Sequence, residues 1–139
     1  MSAYKIIITS GYRNTAHEIK VGNKSGKGYH TTGDAVDINV WKNAKERYTS
    51  KEICLALEDL EWRKGIGIIS NTAVHIDTRI IKYYFDERDN NKSIGNSFYD
   101  YYKEDKNKVL NDAIKKVCKE FELNENLLGA NFCILFSIS

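Results

Sequence analysis

His30-Thr31-Thr32-Gly33-Asp34-Ala35-Val36-Asp37-Ile38-Asn39-Val40 is the stretch on which the reading of this chain turns. From Asp34 it alternates, with Val36, Ile38 and Val40 on one face and Ala35, Asp37 and Asn39 on the other, which is the period of a half-buried strand. Asp37 therefore points away from the apolar face. The same alternation returns in Ala73-Val74-His75-Ile76-Asp77-Thr78-Arg79, where Val74 and Ile76 share one face and His75 and Asp77 the other. Gly65-Ile66-Gly67-Ile68-Ile69, followed by Ser70-Asn71-Thr72, makes this second run one arm of a hairpin. The pattern predicts an α+β domain built on a small, mainly antiparallel sheet packed by two or more helices.

Working outward, the β-branched run Lys5-Ile6-Ile7-Ile8-Thr9 closes on Ser10-Gly11 and predicts a buried strand. Residues 14–33 are punctuated by Gly22, Gly26, Gly28 and Gly33 and read mostly as shaped loop. Thr49 and Glu52 have capping-box spacing, and Ile53, Leu57 and Leu60 follow at helical intervals up to about Arg63. Residues 86–104 lack a period and read as a long surface loop. From about Asp105 to Phe121 the apolar positions recur at three- and four-residue steps, an amphipathic helix expected to join the Thr49 helix in packing the sheet. Residues 131–139 are apolar enough for a terminal strand. The whole, 1–139, reads as a single domain, with 1–85 the motif-bearing core and 86–139 a loop plus helical C-terminal extension.

Composition narrows the class. Of 139 residues, 42% are hydrophobic and 29% charged, the balance of an ordinary globule and not of a disordered or repetitive chain. A net charge of +2 without a basic run offers too little field for nucleic acid or a membrane surface. No run approaches the ~18 to 20 apolar residues of a membrane span. The N-terminus shows no signal peptide, so cytoplasmic synthesis is expected. Cys54, Cys118 and Cys133 are odd in number and lack CxxC spacing, which predicts reduced thiols and not a disulfide framework.

Chemistry concentrates on His30, Asp37 and His75. Two strand faces and a glycine-rich loop deliver two imidazoles and a carboxylate, and a turn at Gly33 can bring the loop histidine beside Asp37. Zinc accepts these donors, and three protein ligands leave one coordination position open, as catalytic sites require.

Ser10-Gly11-Tyr12-Arg13, HTTGDAVD at 30–37, GIGIIS at 65–70 and VHIDTR at 74–79 together resemble the zinc murein peptidases, the family of D-alanyl-D-alanine carboxypeptidases and L-alanyl-D-glutamate endopeptidases, in its small lysin-like branch. The resemblance covers roughly residues 6–80. It implies a sheet bearing a Zn2+ site with His30, Asp37 and His75 as ligands, and Arg13 as the cation that binds the substrate and steadies the oxyanion. The activity it implies is hydrolysis of peptidoglycan stem or crossbridge peptides, as carboxypeptidase or endopeptidase. With no leader evident, action at the cell wall as a phage lysin or virion-associated enzyme is the expected setting.

Two departures stand out. Many relatives carry an acid three residues before the last histidine, where this chain has Thr72, and many carry Ser at the position of Gly28. Asp77 is the remaining candidate for general base, or else it orients a ligand. A noncatalytic zinc-stabilised wall-binding or virion structural module is the competing reading that Thr72 leaves open. Tyr12 and His17 are candidates for contact with substrate, alongside loop and packing roles. Trp41 and the Phe98–Tyr102 stretch divide between groove lining and packing. Asp34 reads as solvent-exposed, and no local signature pairs Cys54 with a histidine for thiol catalysis.

Overall fold

The computed structural model describes residues 1–104 and 106–121. The chain divides into two units, Met1–Tyr102 and Lys103–Ser139. The first holds six strands and four helices in the order β1 (Lys5–Ser10), α1 (Thr15–Lys20), α2 (Tyr29–Thr32), β2 (Ala35–Trp41), α3 (Ser50–Asp59), β3 (Gly65–Ile68), β4 (Ala73–Asp77), β5 (Tyr83–Asp86), β6 (Lys92–Gly95) and α4 (Phe98–Tyr102). In the second unit, α5 spans Lys106–Phe121, where the apolar period places a helix. The strand expected at 131–139 lies outside the described residues. Among those described, no helix is long and apolar enough to cross a membrane.

The sheet runs β1-β2-β4-β3-β5-β6 and is antiparallel except where β5 lies parallel to β3. This is the α+β architecture that the alternating segments predict. Pairing sets Asp37 directly opposite His75 across β2 and β4, and Gly67 opposite His75 across β3 and β4. Directly opposed residues project to the same face, so the two strand-borne polar side chains stand together. The other face carries the core: Ile38, Val40, Ile66, Ile68, Val74 and Tyr84 pack with Ile53 and Cys54 of α3 and Phe98 of α4. Helix α3 starts where the capping box places it, with Thr49 Oγ1 accepting from Glu52 N at 3.2 Å and Glu52 Oε2 accepting from Thr49 N at 2.8 Å.

Three readings are corrected. The run at 5–9 is a strand, but it forms the sheet edge, with Ile6 59% and Ile8 62% exposed. Residues 14–33 contain two short helices, α1 and α2, below the length at which a hydrophobic period becomes legible. Residues 86–104 hold a 3-10 turn (Glu87–Asp89), β6 and α4, and Phe98 is fully buried, its ring stacked on Tyr84 at 4.5 Å.

On the polar face, β3 offers only glycine. A Cβ at Gly65 would overlap the Asp77 carboxylate, and one at Gly67 would stand 2.5 Å from the Phe85 ring. The alternation Gly-Ile-Gly-Ile thus fills the core with isoleucine and leaves the opposite face empty for side chains from the neighbouring strands. Gly65→Ala should cost about 3 kcal/mol of stability by overpacking against a clamped carboxylate. Gly33→Ala meets no atom but sits at φ +79°, so the left-handed backbone should cost about 1 kcal/mol. Denaturant titration of the two variants gives the comparison, and equal losses would contradict the packing role of Gly65.

Candidate metal centre

His30 lies on α2, Asp37 on β2 and His75 on β4, all three buried. His30 Nε2 is 3.1 Å from Asp37 Oδ1 and 3.1 Å from His75 Nδ1, and His75 Nδ1 is 3.0 Å from Asp37 Oδ1. The three donor atoms form a nearly equilateral triangle and can hold a metal ion.

The protons of both imidazoles are committed elsewhere. His30 Nδ1 lies 2.8 Å from the carbonyl oxygen of Gly11, which can only accept, so Nδ1 carries the hydrogen and Nε2 is a bare lone pair. His75 Nε2 lies 3.0 Å from Asp77 Oδ2, which in the neutral ring assigns the hydrogen outward and leaves Nδ1 bare. Asp37 donates nothing when ionised. Three lone pairs thus face one another at hydrogen-bond distance, an arrangement that repels itself unless a cation sits among them. Ligand bonds of about 2.0 to 2.1 Å in a tetrahedral site set neighbouring donors about 3.3 Å apart, close to the spacing seen here. The residues fit a small divalent ion with nitrogen and oxygen ligands.

Each member has a keeper. Arg13 donates from Nη2 to Asp37 Oδ2 at 2.5 Å and from Nε to Ser10 Oγ at 2.7 Å, and its Nη1 reaches Glu18 Oε2 at 3.4 Å. With Oδ2 occupied, Asp37 turns Oδ1 into the triad. Arg13 N also donates to the His30 carbonyl at 3.0 Å, so the Ser10–Arg13 segment and α2 hold each other at both backbone and side chain. Asp77, 1% exposed, is clamped by Arg79 through Nε to both carboxylate oxygens, through Nη2 to Oδ2 and through the Arg79 backbone N–H. The Arg79 guanidinium lies over Tyr29, Tyr83 and Phe85 at 4.9, 5.1 and 5.2 Å.

The electrostatics follow. Burial alone would lower the His75 imidazole, but hydrogen bonds to Asp37 and Asp77 and their charges outweigh it and push it up to about 9. Burial would raise Asp37, yet the His75 hydrogen bond and the charges of His30, His75 and Arg13 hold it below its ordinary value. Asp77 is likewise held well below the carboxylate range against its burial, chiefly by Arg79 and His75.

The triad opens into a cleft of about 810 Å³ that Arg13, Tyr29, Arg79 and Phe85 also line. Tyr12, 72% exposed, and His17 line a separate hollow of about 360 Å³ with Ser10, Arg13 and Asn14, so of the proposed substrate contacts only Arg13 edges both. Trp41 packs between Lys5 and Arg47, with cation–π distances of 5.4 and 4.6 Å. Asp34 is exposed. Cys54 is fully buried and burial raises its thiol above the ordinary range, which keeps it protonated. Glu87, which the sequence does not single out, lines the same cleft, with Oε1 4.0 Å from His75 Nδ1. Partial burial pushes its carboxyl above the ordinary value, against the pull of His75.

Without a metal ion, the carboxylates of Asp37 and Asp77 favour a proton on both nitrogens of His75. A pKa raised from 6.5 to about 9 stabilises the fold fully below pH 6.5, and that stability is lost as pH rises through 9. Denaturation midpoints of the chelated protein should therefore fall between pH 6.5 and 9, and loading a divalent ion at pH 7 should release about one proton. Calorimetry in buffers of different ionisation enthalpy measures that release; none detected would contradict the assignment.

A family model described as peptidase M15 matches residues 2–77. No curated protein and no solved structure matches the chain. The matched span takes in more than half of the 139 residues and all three members of the triad, and the chain belongs to the peptidase M15 family.

Proposed function

We propose that this chain is a zinc-dependent hydrolase of peptidoglycan stem or crossbridge peptides. The observation that carries the reading is the convergence of His30 Nε2, Asp37 Oδ1 and His75 Nδ1, 3.0 to 3.1 Å apart, at an open cleft in a chain of the peptidase M15 family. His30, Asp37 and His75 would hold Zn2+, since two imidazoles and one carboxylate make a set that zinc accepts while keeping a position open. A zinc ion in such a site acts as a Lewis acid on a carbonyl and brings the pKa of coordinated water toward about 7.

The protein's own groups divide the remaining work. Gly11 and Asp77 fix the tautomers of the two histidines, and Arg13 fixes which oxygen Asp37 presents. Arg13 also brings a positive charge to the cleft wall, where it can orient a substrate carbonyl or carboxylate and stabilise negative charge on the carbonyl oxygen, an effect worth ~3 kcal/mol per well-placed donor. Asp77 is a positioning residue in this reading. It lies behind His75, shielded from the cleft, with both oxygens taken by Arg79 and His75.

Incubating the zinc-loaded chain with purified sacculi, then with defined muropeptides read by mass spectrometry, tests the activity and names the bond. Release of peptides that stops in His30→Ala and His75→Ala is the expected result. Stoichiometric zinc binding with no release from any muropeptide would instead establish a noncatalytic module. Asp77→Asn should weaken zinc binding by 10- to 100-fold and lose turnover that saturating zinc restores. Turnover that stays lost in fully loaded Asp77→Asn would make Asp77 a proton acceptor and contradict its positioning role.

A further inference from the structure

Hydrolysis needs a group that takes a proton from water, and the place three residues before His75 holds Thr72, which cannot do so near neutral pH. Three carboxylates line the cleft: Glu18, Asp37 and Glu87. Glu18 is 5% exposed, with its oxygens engaged by Arg13 at 3.4 Å and Asn23 at 3.2 Å. Asp37 belongs to the triad and is held by Arg13. Glu87 alone of the three has no hydrogen bond to any described residue, and its side chain keeps 36% of its exposure.

We propose that Glu87 is the proton acceptor for the attacking water, delivered to the cleft by the turn after β5. The proposal rests on the zinc peptidase reading and adds a residue to it. Oε1 stands 4.0 Å from His75 Nδ1, one corner of the triad. That separation is too long for a direct hydrogen bond and leaves Glu87 outside the ligand set, yet suits a carboxylate that reaches the reacting centre through one water.

The backbone beneath it is anchored. Tyr83 and Phe85 stand on the polar face of the sheet, opposite Gly65 and Gly67, with the Phe85 ring 5.6 Å from that of His75, and Glu87 opens the 3-10 turn that follows the strand. Asp86, 4% exposed, accepts from Arg88 N at 2.9 Å, Arg88 Nε at 2.9 Å, Arg88 Nη2 at 2.6 Å and Tyr101 Oη at 2.9 Å. These bonds pin the Glu87–Asp89 turn from below, so Glu87 has a fixed base and a free head.

The step balances without another reactant. As the water oxygen bonds to the peptide carbonyl carbon, one water proton passes to the Glu87 carboxylate and the carbonyl π pair moves onto oxygen. When that pair returns, the C–N bond breaks, and the proton on Glu87 goes to the departing nitrogen. Glu87 ends as it began, and the products are a carboxylic acid, ionised at neutral pH, and an amine.

The test compares the zinc-loaded parent chain with Glu87→Gln and Glu87→Asp on a muropeptide that the parent cleaves. Glu87→Gln should bind zinc within about threefold of the parent in chelator competition and keep KM within a few-fold, while kcat falls at least ~100-fold. Glu87→Asp, one methylene shorter, should recover part of that loss, and this variant carries the test if Glu87→Gln does not fold. Turnover of Glu87→Gln within threefold of the parent overturns the proposal and leaves the peptidase reading standing. A tenfold loss of zinc affinity in Glu87→Gln would make Glu87 a ligand and overturn it as well. A parent that cleaves no muropeptide removes both.

Discussion

Three lone pairs aimed at one point are the constraint to which the rest of the structure answers. Two neutral imidazoles and a carboxylate repel when their acceptor atoms stand 3.0 to 3.1 Å apart. Burial removes the water that would otherwise screen them. The arrangement persists because each outward-facing atom is bonded: His30 to the Gly11 carbonyl, His75 to Asp77 and Asp37 to Arg13. A cation, whether metal or proton, completes what these three bonds prepare.

That preparation reaches well beyond the triad. The Ser10–Arg13 segment supplies both the carbonyl that orients His30 and the guanidinium that orients Asp37. The glycines of β3 leave the volume that the Asp77 carboxylate and the Phe85 ring occupy. Arg79, stacked over three aromatic rings, neutralises Asp77 so that a fully buried carboxylate can sit behind a histidine. The sheet therefore serves two purposes at once, with a continuous apolar core on one face and on the other a set of charges that satisfy one another.

Much of this was legible in the sequence where local period and pairing coincide. Alternation over residues 34–40 and 73–79 places Asp37 and His75 on polar faces, and antiparallel neighbours then bring them together. The capping box at Thr49 and Glu52 is equally local, and α3 begins there. Other parts depend on contacts that no local pattern encodes. The run at 5–9 has the composition of a buried strand but lies at the sheet edge, where Ile6 and Ile8 stay exposed. Helices α1 and α2 span six and four residues, too few for a hydrophobic stripe. Strand β5 joins the sheet in parallel beside β3, and that non-local pairing carries Glu87 into the cleft. The aromatic run Tyr83-Tyr84-Phe85 was the signal available for the strand, but Glu87 lies in the turn beyond it, where the sequence has no period of its own. The VHID pattern puts Asp77 on the face of His75, whereas its clamping by Arg79 emerges only in three dimensions.

The most direct measurement of the central claim is the zinc K-edge absorption spectrum of the loaded protein. Zinc held by His30, Asp37 and His75 gives a single site with two imidazole nitrogens and one carboxylate oxygen at about 2.0 to 2.1 Å, together with a further light-atom ligand from solvent. A shell containing sulfur, or one showing no imidazole scattering, would contradict it.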